Sequence, residues 1–219
     1  MRRNPAVLVV TSAAVALAIT GCGGSDSSSS KSSTAKKQPS LAAQSRTVVG
    51  GNATFIADPA TSAALKKAGV SASAARNTAV KGSSLVMPLK SGNIVVASLI
   101  GSTRSPGAIV YKTSTKQVAF ANVVVNTRLR RVSGQLNGKD RMGVYQVSVN
   151  NLKQSRVKAN TVMGTGLSLR LTKKAAAALN SGLGVKVFKK AMKMGTLTLT
   201  VVTKKTTGKS GSSSSKSSK

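Results

Sequence analysis

Between residues 47 and 203 the apolar side chains recur with a period of two, which restricts the chain to strands that each bury one face. Leu167, Leu169 and Leu171 alternate with Ser168, Arg170 and Thr172. Leu197, Leu199 and Val201 alternate with Thr196, Thr198 and Thr200, and Tyr145, Val147 and Val149 with Gln146, Ser148 and Asn150. Successive strand side chains point to opposite faces, so each run has one apolar and one wet side. The segments 94–100 and 118–125 are more uniformly apolar and are expected to be inner strands. Asn137-Gly138 separates two such runs and predicts a hairpin, because both residues tolerate positive φ. Short strands with turn signals every ten or so residues predict a mostly β fold, a single antiparallel sandwich or barrel-like domain.

Two short helices are expected within it. A strand-like run ends at Asp58-Pro59, an N-cap followed by proline at the first helical position, and Ala63, Ala64 and Leu65 lead on towards Gly69. Near the other end, Thr172 caps a helix through Ala175 and Leu179 that is expected to stop near Gly182. The repetition of strand, cap and alanine-rich helix suggests a weak internal duplication, in which Leu65 corresponds to Leu179.

Outside this domain the composition changes. Arg2 and Arg3 precede an apolar stretch over 6–19, too short to span a bilayer, and the layout is that of an export signal over 1–21. The lone cysteine follows in Leu17-Ala18-Ile19-Thr20-Gly21-Cys22, and small residues before such a cysteine resemble the lipobox of bacterial lipoproteins. That resemblance implies cleavage before Cys22 and its acylation. The chain is then expected to be anchored through membrane lipid on the outer face of the cytoplasmic membrane. Residues 22–46 and 204–219 are rich in Ser and Lys and cannot bury enough apolar surface to order themselves; they are expected to be a disordered tether and tail.

Chemistry is restricted by what is missing. The chain has no His, no Glu and no Trp, and its only acids are Asp26, Asp58 and Asp140. General acid–base catalysis draws mainly on His and paired carboxylates, and Asp58 already has a role as a cap. One cysteine and scattered acids give no ligand set for zinc, iron or calcium. Ser155 and Lys158 show a Ser-x-x-Lys spacing without the companion motifs that would make it catalytic. A non-enzymatic protein is expected.

The charge is extreme, with 34 Lys and Arg and a formal net charge of +31. Export, and only five scattered aromatic residues, argue against nucleic acid as the partner, because no stacking platform can be built. Anionic cell-envelope polymers or lipid headgroups are the alternative counter-charge, giving a second reading as an envelope-structural docking protein. A solubilising role for the charge also stays open.

Taken in order, several blocks resemble the haem-transport-associated (HtaA) domain of actinobacterial surface proteins. They are the strand leading into Asp58-Pro59 and Ala63-Ala64-Leu65, then Leu85-Val86-Met87-Pro88-Leu89 with Ser91-Gly92. The glycine-bounded loop over 101–107, the apolar strand over 118–126, the hairpin around Asn137-Gly138 and the late Ala-Leu helix follow. The similarity spans roughly residues 50–202. It implies a surface binding domain, and haem as the cofactor in those members that use a tyrosine ligand supported by a histidine. Tyr111, Tyr145 and Arg104 become the candidate haem-contacting residues, the arginine as a partner for propionates. The sequence departs from that pattern where Arg104-Ser105-Pro106-Gly107 stands in the loop that tends to carry the histidine. Tyr145 lies on an apolar strand face and also reads as a core aromatic; Tyr111, beside Lys112, also reads as an exposed strand end.

Overall fold

The computed structural model describes residues 45–204; Cys22, the export signal and the rest of the tether and tail lie outside them, while Ser45 and Arg46, expected at the end of the disordered tether, already pair with Val95 and Ile94 in the first strand. The alternation seen in the sequence becomes thirteen strands and two helices. The chain opens with β1 (Ser45–Ala57), which runs into α1 (Pro59–Lys67). Next come β2 (Ser71–Ala75), β3 (Ala79–Lys81), β4 (Ser84–Pro88), β5 (Ser91–Val95), β6 (Ile100–Arg104) and β7 (Ala108–Lys112). Four longer strands follow: β8 (Gln117–Asn126), β9 (Arg131–Leu136), β10 (Arg141–Ser148) and, after the exposed β11 (Lys153–Lys158), β12 (Thr161–Leu171). The described part closes with α2 (Lys173–Leu183) and β13 (Lys193–Thr203).

All pairings are antiparallel and belong to one large sheet. β13 bridges β12 to β1, so the strands form one continuous sheet that curls over its own core. The pairing runs from β1 through β5, β6, β8, β9, β10, β12 and β13 back to β1, but it is not a uniform barrel wall, since two strands divide one of their edges between two partners. Residues 45–48 of β1 pair with β5 while 52–56 pair with β4. Likewise β8 gives its first half to β7 and its last residues to β6. Leu167, Leu169, Leu171, Leu197, Leu199 and Val201 all point into one contiguous core, as the period of two requires.

Both helix starts follow their caps. The Asp58 carboxylate accepts from the Thr61 N–H at 3.1 Å, and the Thr172 hydroxyl accepts from the Ala175 N–H at 3.1 Å. The second helix ends later than Gly182: it continues to Leu183 and is capped by Gly184 at φ 71°. Gly182 serves packing, since a Cβ there would stand 2.4 Å from the Val118 Cγ2. The hairpin turn has the expected form, with Asn137 at φ 48° and Gly138 at φ 79°.

One strand expectation fails. The apolar run 94–100 is not a single inner strand but the two arms of the β5–β6 hairpin with a turn at residues 96–99. Leu99, at φ 53°, is buried in that turn. The Thr127 hydroxyl donates to the Leu99 carbonyl at 2.6 Å and accepts from the Gly101 N–H at 2.9 Å. A contact from 28 residues away therefore fixes a turn that local apolarity disguises. Among the described residues no helix is long and apolar enough to cross a membrane.

Candidate functional site

Four of the five aromatic residues form one chain through the core. Tyr111 lies on β7 and Tyr145 on β10, strands that do not pair with each other, yet their hydroxyls meet at 2.8 Å. The Tyr145 ring stacks on Phe55 of β1, with centroids 5.9 Å apart and planes 9° from parallel. The Tyr111 ring meets Phe188 edge-on at 5.5 Å and 81°. Offset-stacked and T-shaped contacts are the arrangements that aromatic quadrupoles favour. Phe188 is held in place by Asn180 of α2, whose amide nitrogen donates to the Phe188 carbonyl at 2.8 Å and whose amide oxygen accepts from its N–H at 3.0 Å.

The pair is sealed. Tyr111 is 1 % exposed and Tyr145 0 %. A buried phenol gives up its proton reluctantly because the phenolate loses hydration. Burial pushes Tyr111 up to about 12, against a smaller lowering by the hydrogen bond from Tyr145. Tyr145 is held well above its ordinary value, by burial first and by the neighbouring Tyr111 second. A cleft of about 250 Å³ beside Phe55 is lined by Phe55, Leu65, Lys66 and Leu85 among others, and by neither tyrosine.

The sequence candidates are thus brought together only in part. Tyr111 and Tyr145 share one site, and the exposed strand-end alternative for Tyr111 does not hold. Arg104 does not join them: it is exposed at the end of β6, between Ser91 of β5 and Val124 of β8. The neighbouring Ser105 is buried, and its hydroxyl accepts from the Gly107 N–H at 3.0 Å, which tightens the loop. Phe55 and Phe188 were not singled out by the sequence. Phe55 stands on an inward position of β1, which the alternation of that strand could have disclosed, whereas Phe188 lies in the loop after α2, where no period marks it.

A tyrosinate iron ligand needs an accessible, deprotonated phenol. The two phenols present are buried, protonated at neutral pH and committed to each other, and the chain has no histidine to support them. As placed here, these residues do not fit haem iron. Asp58 is also accounted for, since it pairs with Lys193 at 2.8 Å and caps α1.

No family model matches the chain, and no curated protein shows a significant match in sequence. Solved structures do match. The C-terminal domain of HtaA from Corynebacterium glutamicum superposes with a TM-score of 0.55 at 14% identity, over 72% of this chain and 98% of that one. A domain-swapped dimer variant of the same domain gives 0.48 at 14% identity, over 63% and 85%. The haem-binding protein HtaB from the same organism gives 0.46 at 8% identity, over 73% and 96%. The chain has the HtaA-like fold.

Proposed function

We propose that this chain is an exported lipoprotein, anchored through acylated Cys22, whose HtaA-like domain binds a ligand or partner at the cell surface without catalysing a reaction. The observation that carries the proposal is the fold likeness, which takes in nearly the whole of the HtaA C-terminal domain. The absence of histidine and glutamate from the sequence favours binding over catalysis. Haem is the ligand that the family resemblance suggests, and the Tyr111–Tyr145 bond argues against tyrosine as the ligand of its iron. Ligand contact in this domain therefore falls to its surface.

The test has two parts. Cells expressing the full chain should incorporate labelled fatty acid into it and expose the domain to added protease, and Cys22→Ser should abolish the labelling and release or strand the protein. A Cys22→Ser protein that is processed normally and stays on the membrane contradicts the anchoring. The second reading, docking on anionic polymers of the envelope, is favoured by an arginine-lined groove on the outer face of the sheet. Docking by charge should collapse as salt rises, because screening shortens the reach of exposed charges.

A further inference from the structure

β10 sits between β9 and β12, its wet face carries Gln146 and Ser148 on either side of buried Val147, and Asn150 follows in the turn beyond its end. Gln146 stands directly opposite Arg131 on one side and Arg170 on the other. Neighbouring strands are about 4.8 Å apart and facing residues share a side of the sheet, so the two arginines flank Gln146 at about 10 Å from each other. Arg130, in the turn before β9, extends the group, and together these six residues line an open groove of about 610 Å³.

Three features of this groove point to a ligand. Its arginines and Gln146 are exposed, and no acid lines it. Asp58 is occupied by Lys193, and Asp140 lies at the opposite, turn end of the β9–β10 hairpin. Like charges gathered without a counter-charge work against folding, so their grouping is better suited to an anion brought from outside. The side chains are also partly positioned: the Arg131 stem lies over Gly143, where a Cβ would stand 2.8 Å from its Cδ, and an Arg170 guanidinium N–H donates to the Ala191 carbonyl at 3.3 Å.

Resting on the surface-binding reading above, we propose that this groove binds one strand of a polyanionic polymer built from phosphate-linked polyols or sugars. Guanidinium forks match phosphate oxygens in bidentate geometry. The strip of Gln146, Ser148 and Asn150 between them offers amide and hydroxyl partners for the hydroxyls of the repeat. The groove holds no aromatic residue, which disfavours single-stranded nucleic acid. An elongated strip of donors flanked by cations suits a chain molecule better than a bilayer surface.

The test is fluorescence anisotropy of labelled poly(glycerol phosphate) with the purified full chain, across a salt series. Arg131→Gln with Arg170→Gln should weaken binding about tenfold or more, and should reduce the salt slope by about two. The control pair Lys153→Gln with Arg156→Gln removes the same charge from the exposed β11 and should change affinity less than about twofold. Equal losses in the two pairs would show diffuse attraction and overturn the groove. Tighter binding of oligodeoxythymidylate, or of vesicles containing phosphatidylglycerol, would overturn the choice of occupant. Both double variants are checked for an unchanged unfolding midpoint. Polymer binding in solution does not depend on Cys22, so a failure of anchoring and a failure of the groove are read separately.

Discussion

Tyr111 and Tyr145 come from two strands that do not pair, and they join through a 2.8 Å hydrogen bond between hydroxyls that are both out of reach of water. The bond satisfies two polar atoms that would otherwise be stranded in the core, and in doing so it withholds from haem iron the two phenols of this chain. The same contact is therefore a structural asset and a functional restriction.

Removing one hydroxyl should cost more than removing both. Tyr111→Phe leaves the Tyr145 hydroxyl buried without a partner, a penalty of about 1–3 kcal/mol. Tyr145→Phe should do the reverse by a similar amount. The double phenylalanine variant should lose less than the sum of the two. Urea unfolding of the four proteins measures the coupling; strict additivity would mean the hydroxyls do not interact.

Alkaline pH should unfold the protein through the same pair. Both folded-state pKa values are raised above the ordinary phenol value of 10.0. The folded state thus holds these protons more tightly than the unfolded one. The stability they contribute is complete below about pH 10 and falls as pH rises towards 12. With two tyrosines and no tryptophan in the sequence, absorbance at the tyrosinate band reports this directly. It should stay flat in the native protein well past pH 10 and rise together with unfolding. An early rise of one phenolate in a folded protein would contradict the burial.

Asp58 should act as a cap first and an ion-pair partner second. Asp58→Ala should cost about 1 kcal/mol, the usual value for losing an N-cap. Lys193→Ala should cost less, because the Lys193 side chain is 55% exposed and such pairs are screened by water. The carboxyl is held below its ordinary value by its hydrogen bond from Lys193 and then by the Thr61 N–H. Its stabilising part is therefore present above the unfolded pKa near 3.8 and lost as pH falls through the lower folded value. Thermal unfolding of both variants at neutral and acid pH checks the order.

Thr103 is a place where a polar atom can be removed at no loss. It is 2 % exposed, and among the described residues its Oγ1 is the buried side-chain atom with no hydrogen-bond partner. Thr103→Val replaces the hydroxyl by a methyl of the same shape and should leave stability unchanged or raise it by up to about 1 kcal/mol. A clear loss of stability in calorimetry would reveal a partner for that hydroxyl.

Local signals in the sequence carried far. The inward leucines of β12 and β13, the caps Asp58 and Thr172, and the Asn137-Gly138 turn each depend on neighbours within a few positions, so period and spacing disclose them. The turn at Leu99 stayed hidden because a remote threonine holds it. α2 ends within a residue of the expected Gly182, but the capping glycine is Gly184 while Gly182 packs against Val118, and glycine alone does not say which purpose it serves. The inward face of Tyr145 was visible in the alternation of β10. Its pairing with Tyr111 was not, since it depends on how the sheet curls to bring β7 opposite β10. Arg131 and Arg170 were likewise invisible as a pair until strand order placed β10 between them.

Haemin titration of the full chain, followed by its visible spectrum, decides whether the buried tyrosine pair is open to iron. The expected result is no ferric–tyrosinate signature, and an affinity no greater than that of an unrelated protein of equal basic charge, with Tyr111→Phe and Tyr145→Phe indistinguishable from the parent. A tyrosinate-type ferric spectrum that disappears in Tyr111→Phe or in Tyr145→Phe would contradict it, and would show that the buried pair opens to take up iron.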